Sequence, residues 1–309
     1  MKAVYLLIVA VLVGCGDRRP NDSRVGDQIE SLDISPDDRK VLLLSTHDGA
    51  TTVFEINADG QSPRLILKPG DGIFSNPRYS PDGKKIVFIK HFKKSFWESI
   101  VCIANSDGTG IQALTHGGEL VTEAIFSAKG GDVLYCSAKQ YNSSKKKHTT
   151  DVRGFDIYTI DTGDGKVTKL STLNALGIDN LSEINEKYIL FHVNASKKSG
   201  IYSFEKDNPV RALRIFPVNG TQESRLLDKP AYAPNGFLVF TALTELYAMN
   251  MITHRADLIY DAKAGHLIEM LRGFHTKSRI LFKKFDEPRL TSLNTDGTEV
   301  RSIDVEFPE

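Results

Sequence analysis

Few of the side chains that could do chemistry stand at spacings that catalysis or metal binding requires. The chain holds three cysteines and eight histidines, and the histidines are scattered singly through it. It contains no Gly-x-Ser-x-Gly nucleophile turn, no His-Glu-x-x-His helix, no Gly-x-x-x-x-Gly-Lys phosphate loop and no Cys-x-x-Cys pair. We therefore expect no enzyme activity, no catalytic residue, no metal and no cofactor. One alternative stays open: groups from distant segments can converge on a folded channel.

Cys15 is the cysteine whose surroundings indicate a reaction. The apolar run Ala3–Val13 follows Lys2 and is too short to span a bilayer, so it is typical of a signal peptide. Residues Leu12–Cys15 resemble the bacterial lipobox, whose cysteine sulfur takes a diacylglycerol before the preceding peptide is cut off and the new amino terminus is acylated. The resemblance implies that residues 1–14 are a lipoprotein signal peptide. An ordinary secretory signal with a chance cysteine is the alternative.

Residues 15–27 are expected to be the lipidated cysteine and a flexible tether, because the segment after Cys15 is polar and carries Pro20. Two or three acyl chains make a stable membrane anchor. In lipoproteins of bacteria with two membranes, an aspartate directly after the lipidated cysteine favours the inner membrane. Here Gly16 takes that place, so the resemblance implies a position in the cell envelope at the outer membrane, facing the periplasm.

An apolar triplet recurs six times along the chain, between a turn of the Ser-Pro-Asp type and an Asp-Gly turn. Successive copies are 42 to 56 residues apart. The triplets are Val41–Leu43, Ile86–Phe88, Val133–Tyr135, Ile189–Phe191, Leu238–Phe240 and Ile280–Phe282. A strand-like repeat of this length predicts a radial array of β-sheets in which no unit can bury its faces alone.

The second copy is the clearest. In its turn Ser80-Pro81-Asp82-Gly83, the proline fixes φ and the glycine supplies the positive φ of a tight reversal. A second turn, Asn105–Gly108, leads to a short closing strand that ends in Leu114-Thr115. From Ser75 to Thr115 this pattern resembles the repeat of the TolB-like propeller family.

The resemblance implies an all-β fold: a six-bladed β-propeller of four-stranded antiparallel blades, covering residues 28–309. It weakens in the last three copies, where Ile184–Lys187 and His275–Ser278 stand in place of the turn. We expect a lone propeller without the N-terminal α/β domain of TolB.

The turn aspartates are expected to be structural. Asp59, Asp82 and Asp107 stand where a carboxylate accepts hydrogen bonds from nearby backbone amides. The segment Asp161–Gly165 has a faint likeness to a calcium loop but lacks the glutamate at its twelfth place.

Cys102 and Cys136 lie in apolar runs of neighbouring repeats. An exported compartment permits a disulfide between them, and two buried free thiols are the other possibility.

Two successive repeats enlarge the connection between their second and third strands, at Lys90–Trp97 and Gln140–His148. In a propeller this connection lies on the same face as the loops between blades, so both insertions should lie side by side. The candidate partner-binding residues are Lys90, Phe92, Lys93, Phe96, Trp97, Tyr141, Lys145, Lys146 and Lys147. In the alternative interpretation, Phe96 and Trp97 begin the third strand and pack between blades, while the lysines only aid solubility.

Charge balance excludes a general attraction to nucleic acid, since Lys plus Arg and Asp plus Glu are 39 each. We expect a monomeric, non-catalytic propeller that binds an envelope protein or peptide, including a partner of the toxin-immunity type. The alternative is a hydrolase or lyase that acts on sugars or lactones at the central channel.

Overall fold

The computed structural model describes residues 28–308, apart from 69–71, 93–94, 145–148, 195–198, 216, 219–226, 264–265 and 286. The described residues form six sheets of four antiparallel strands each. Within every sheet the strands follow one another in chain order, so each repeat makes one complete blade. This confirms the six-bladed propeller. Cys15, Lys93 and Lys145–Lys147 lie outside the described residues.

The first three blades contain strands β1 to β12. Blade 1 consists of β1 (Gln28–Ile34), β2 (Lys40–His47), β3 (Ala50–Asn57) and β4 (Arg64–Leu67). Blade 2 consists of β5 (Ile73–Tyr79), β6 (Lys85–Phe92), β7 (Ser95–Asn105) and β8 (Gln112–Ala113). Blade 3 consists of β9 (Leu120–Phe126), β10 (Asp132–Ser144), β11 (Thr149–Asp161) and β12 (Val167–Lys169).

The last three blades contain strands β13 to β24. Blade 4 consists of β13 (Gly177–Ile184), β14 (Tyr188–Asn194), β15 (Gly200–Glu205) and β16 (Asn208–Ile215). Blade 5 consists of β17 (Leu227–Tyr232), β18 (Phe237–Ala242), β19 (Glu245–Asn250) and β20 (Ala256–Asp261). Blade 6 consists of β21 (Ile268–Gly273), β22 (Arg279–Lys284), β23 (Leu290–Asn294) and β24 (Arg301–Ile303).

The apolar triplets are the second strands of the blades, and they are buried on both sheet faces. Successive side chains of a strand point to opposite faces. In blade 4, Ile189 and Phe191 pack into the core shared with blade 3, and Leu190 packs into the core shared with blade 5. The other five triplets divide in the same way, with the outer two residues toward the preceding blade. Burial on both faces explains a continuous apolar run where a half-exposed strand would alternate.

The hydrophobic core is therefore six separate interblade layers, one between each pair of neighbours around the ring. Five of the triplets end in an aromatic residue that is almost fully buried. These residues are Phe88, Tyr135, Phe191, Phe240 and Phe282.

The turns close as the sequence predicts. Asp82 Oδ1 accepts from the Ser80 hydroxyl at 2.6 Å and from the Lys84 amide at 3.0 Å. Asp107 and Asp59 accept from backbone amides two residues further on. Asp161 accepts from two amides of its own turn, which is a blade turn.

Glycine in the outer turn, between the third and fourth strands, has a second role besides positive φ. Gly108 of blade 2 lies so close to blade 1 that a Cβ there would overlap the carbonyl oxygen of Ile66. In blade 6, a Cβ at Gly297 would lie 2.7 Å from the Ile259 carbonyl oxygen of blade 5. The outer turn of one blade thus packs on the fourth strand of the blade before it, which a side chain would prevent.

The ring closes between blade 6 and blade 1 without a shared strand. The segment after β24 runs along blade 1, where the Glu306 amide donates to the Gly60 carbonyl at 2.9 Å and the rings of Phe307 and Phe54 lie 5.5 Å apart. A second contact of blade 6 with blade 1 lies at the turn between β1 and β2, where the amides of His275 and Thr276 donate to the buried carboxylate of Asp38. The segment after β24 and the turn between β21 and β22 therefore close the ring against blade 1.

Cys102 and Cys136 are buried free thiols, which decides between the two possibilities that the sequence left open. Burial raises the pKa of Cys102 to about 11 and that of Cys136 well above its usual range. Both thiols are therefore protonated and unreactive. Among the described residues no helix has the length and hydropathy to cross a membrane.

Closure can be tested at Gly60, whose Cβ would overlap the Asp304 carbonyl oxygen. Gly60→Ala should destabilise the protein by about 1 kcal/mol or more beyond the cost of a side chain at positive φ, because the closing segment must shift. Gly236→Ala is the matched control, since Gly236 has a similar φ and open space at its Cβ position. Urea unfolding compares the two variants, and equal losses would contradict closure through this contact.

Candidate functional site

The first strands of the blades line the central channel. Each of them contacts the first strands of both neighbouring blades, so together they form the innermost ring. In all six described blades the pairing of the first and second strands contains a register shift. Such bulges redirect side chains locally.

The channel mouth and the predicted hairpins lie on the same face of the ring. Strand order places the connection between second and third strands on the face where each first strand begins. Phe92 is 39% exposed there and packs against the loop into blade 3, since a Cβ at Gly117 would lie 3.1 Å from its ring. Asp179, Asp228 and Glu269 stand at the beginning of their first strands, on the same face.

A buried ion pair crosses the middle of the channel wall. Arg78 of blade 2 donates to the Leu32 carbonyl of blade 1 at 2.7 Å, and its Nη2 lies 3.7 Å from Glu123 Oε2 of blade 3. The amide of Asn180 in blade 4 donates to the other carboxylate oxygen of Glu123 at 3.3 Å. Burial raises the pKa of Glu123 to about 7, although Arg78 opposes the shift. The carboxyl group therefore titrates near neutral pH.

Asp179, His192 and Asp228 meet at the channel mouth, and we call these three residues the Asp-His-Asp cluster. His192 Nδ1 lies 3.1 Å from Asp179 Oδ1 of its own blade and 3.3 Å from Asp228 Oδ1 of blade 5. The imidazole is 9% exposed, whereas the carboxylate side chains are 42% and 36% exposed toward the channel. A fixed nitrogen thus faces two oxygens that water can reach.

Local backbone geometry holds the two carboxylates. Asn180 and Lys229, which follow them in the chain, have φ of 52° and 48°. The Asn180 side-chain amide donates to Asp179 Oδ1 at 2.7 Å, and the Lys229 ammonium donates to Asp228 Oδ2 at 2.9 Å. The backbone amide of Lys229 also donates to Asp228 Oδ1 at 2.7 Å. These bonds stabilise a left-handed conformation that is unfavourable for lysine.

The two carboxylates also control the charge of His192. Burial by itself lowers the pKa of His192, but Asp179 and Asp228 outweigh it and raise the pKa to about 9. At neutral pH the imidazole is therefore a cation that bridges blades 4 and 5.

Blade 6 adds a second group of charges beside the cluster. The buried Lys283 ammonium lies 2.7 Å from Glu269 Oε2. Arg272 Nη1 reaches from blade 6 toward Asn180 Oδ1 of blade 4, at 3.5 Å. The channel mouth therefore combines carboxylates and cations from three blades, each with a partner of opposite charge or a polar partner.

The predicted patch residues occupy strands more than loops. Lys90 and Phe92 end β6, Phe96 and Trp97 begin β7, and Tyr141 lies in β10. The expected enlarged loops are in fact continuations of the hairpins, because backbone pairing continues to Phe92↔Ser95 in blade 2 and Ser144↔Thr149 in blade 3. The strand assignment agrees with the alternative interpretation of Phe96 and Trp97. A binding role for the patch stays a prediction.

No sequence motif predicts the Asp-His-Asp cluster. Asp179 and Asp228 each follow a buried apolar residue near the start of a first strand, and His192 directly follows the triplet of blade 4. The available signal was His192, a titratable residue inside a strand that is mostly buried. Asp228 belongs to the next repeat, so no local spacing connects it to Asp179 and His192.

A shallow groove of about 720 Å³ lies on the opposite face, between blades 5 and 6. Its central cation, Arg279, is engaged by Asn294 at 2.9 Å and by Glu299 at 2.7 Å. The channel mouth is the stronger candidate site, because there an imidazole and two carboxylates from two blades bring their donor atoms within 4.8 Å of one another.

Comparison with solved structures places the chain among known propellers. TolB from Acinetobacter baumannii matches with a TM-score of 0.68 at 13% identity, over 87% of this chain and 64% of that one. The chain thus spans somewhat less than two thirds of that protein. An oligogalacturonate lyase in complex with manganese matches with a TM-score of 0.60 at 11% identity, over 88% of this chain and 75% of that one.

The β-propeller domain of the Trilobed protease from Pyrococcus furiosus, described as having an open velcro topology, matches with a TM-score of 0.55 at 12% identity. The match covers 89% of this chain and 82% of that one. At these identities the matches establish the propeller fold. No family model matches the sequence, and no curated protein matches it.

The pKa of Glu123 leads to a test by pH. Below about pH 4.5 the Glu123 carboxyl is neutral in both the folded and the unfolded protein. Between about pH 4.5 and pH 7 it is ionised mainly in the unfolded protein, so the folded state loses stability as the pH rises through this range. Wild type should therefore lose up to about 3 kcal/mol relative to Glu123→Gln between about pH 4 and pH 8. Chemical unfolding at several pH values measures the difference.

Glu186→Gln is the control, because that carboxylate is 59% exposed in a turn. Its pH profile should run parallel to wild type. A parallel profile for Glu123→Gln as well would show that the buried carboxyl ionises near its ordinary pKa.

Proposed function

We propose that this chain is a lipoprotein of the bacterial envelope, anchored through Cys15, whose propeller binds a protein or peptide on the channel-mouth face. The observation that carries the proposal is the convergence on one face of paired charges from three blades with the exposed ring of Phe92. A rigid scaffold that presents such a face is typical of recognition modules.

The charged groups at the channel mouth can exchange their present contacts for contacts with a binding partner. Asp179 and Asp228 are partly exposed, and a cationic group of a partner can replace the contacts that His192 and Lys229 make with them. Aromatic residues beside polar groups supply the apolar contact area that interfaces favour. We propose that the ligand is an envelope protein or peptide, a toxin countered in the periplasm included, and that the anchor lies in the outer membrane.

Anchoring predicts that Cys15→Ser abolishes lipid attachment. The variant should lose incorporation of labelled palmitate and leave the membrane fraction, because no other cysteine follows a lipobox. Cys102→Ser is the control, since Cys102 is a buried thiol and its replacement leaves the anchor intact. If the unacylated Cys15→Ser protein still sediments with the membrane fraction, anchoring through Cys15 is wrong.

Partner binding predicts that changes in the hairpins reduce capture. Lys93, Trp97 and Lys145–Lys147 are replaced together by alanine or serine, and wild type and variant are cross-linked in envelope extracts for mass spectrometry. Capture of the principal partner should fall at least tenfold for an interface centre. Leu243→Ala is the control, because Leu243 is 60% exposed at the corresponding turn of blade 5 on the same face. Undiminished capture by the hairpin variant removes the assignment to this part of the face.

A second candidate is a sugar lyase or hydrolase at the channel mouth. It is favoured by the meeting of two carboxylates and an imidazole in one mouth, which recognition of a partner does not require. Because the fold is similar to that of an oligogalacturonate lyase, uronate oligosaccharides are the first substrates to assay. Formation of an unsaturated product by wild type, and none by Asp228→Asn, would establish this candidate in place of pure binding.

A further inference from the structure

We propose that Asp179, His192 and Asp228 bind a first-row divalent metal ion of the Zn²⁺ or Mn²⁺ class, which joins blades 4 and 5 at the channel mouth. This site uses Asp179 and Asp228, which the partner-binding proposal also uses, but the two are tested separately: metal binding by dialysis, and partner binding by cross-linking and capture.

The distances match a metal coordination shell. The three donor atoms, His192 Nδ1 and one oxygen from each carboxylate, lie within 4.8 Å of one another. Ligands about 2.0–2.2 Å from a tetrahedral zinc ion are separated from each other by about 3.4 Å. The observed separations from Nδ1, 3.1 Å to Asp179 and 3.3 Å to Asp228, are close to that edge length. Small side-chain shifts suffice to admit the ion.

The ligands are held in place by their neighbours. His192 is almost fully enclosed, so its ring is fixed with Nδ1 toward the carboxylates. The Asn180 amide donates to Asp179, and the Lys229 ammonium contacts the Asp228 oxygen that faces away from the imidazole. Contacts of this kind orient metal ligands and strengthen binding.

The net charge around Asp179 and Asp228 favours the binding of a cation. Asp179 and Asp228 are two carboxylates, and the Lys229 ammonium contacts Asp228. Of the nearby cations, Lys283 pairs with Glu269, and Arg272 contacts the amide of Asn180. The remaining negative charge is neutralised by a proton on Nδ1 or by a metal ion in the same place.

The donor set also selects the metal. Calcium and magnesium prefer oxygen ligands throughout, whereas zinc, manganese and cobalt accept imidazole together with carboxylate. The two carboxylates are partly open to the channel, so an ion reaches them from solvent and keeps positions for water or a further ligand. With Nδ1 on the metal, the ring proton resides on Nε2.

The test is metal binding by the purified full-length protein in detergent, after treatment with a chelator. Equilibrium dialysis should show one tightly held Zn²⁺ per chain, with far weaker binding of Ca²⁺ and Mg²⁺. Cobalt should produce d–d absorption without a thiolate charge-transfer band, because Cys102 and Cys136 are buried elsewhere.

Three variants identify the ligands. His192→Gln, Asp179→Asn and Asp228→Asn should each weaken zinc binding more than tenfold. The matched control is His47→Gln, because His47 is an exposed histidine beside Asp48 and outside the Asp-His-Asp cluster. It should bind zinc as wild type does, and thermal unfolding of every variant separates lost ligands from lost fold.

Two results would overturn the site. One is wild-type protein that retains no zinc above the level of a non-specific background. The other is folded His192→Gln or Asp228→Asn protein that binds zinc as tightly as His47→Gln does.

Discussion

Burial between blades is the constraint on which the rest of this structure depends. Every blade has two apolar faces, and each of the six core layers is built from two neighbouring blades. A fully buried large apolar side chain contributes about 2 kcal/mol, and here that contribution exists only while the neighbour is in place. An open end would expose one face on blade 1 and one on blade 6, so closure is a condition for the whole ring. The chain achieves it by packing Val305 and Phe307 onto blade 1.

The same geometry brings charges together at the centre. First strands contact one another around the channel, and register shifts interrupt their pairing beside Arg78 and Asp179. Enclosed charges are costly unless paired, which explains why these groups bridge from blade to blade. The Arg78–Glu123 pair shows the limit of this arrangement, since the Nη2 and Oε2 atoms that face each other at 3.7 Å have no hydrogen-bond partner. At the channel mouth the charged atoms lie closer together, 3.1 Å and 3.3 Å from His192 Nδ1, and the two carboxylates are partly exposed.

Much of the fold was readable from local chemistry. Pro81 and Gly83 determine their turn through backbone preferences alone, and the degenerate turn at Ile184–Lys187 still forms because Asn185 and Glu186 adopt positive φ. Strand lengths were less accessible. The hairpin of blade 3 looked like a polar loop from residue 140 onward, yet its backbone pairing continues to Ser144, because hydrogen bonds between strands need no apolar side chains.

The sequence by itself determined the repeat, its turns, the number of blades and the apolar triplets, because each of these depends on preferences within a few consecutive residues. Only the tertiary structure decided how the ring closes and which polar residues meet. Gly60 and Asp304 come together because blade 6 returns to blade 1, and Asp228 meets His192 because the first strand of blade 5 packs against the second strand of blade 4. Such contacts join positions in different repeats, and their geometry is decided by the packing of whole blades rather than by the residues between them.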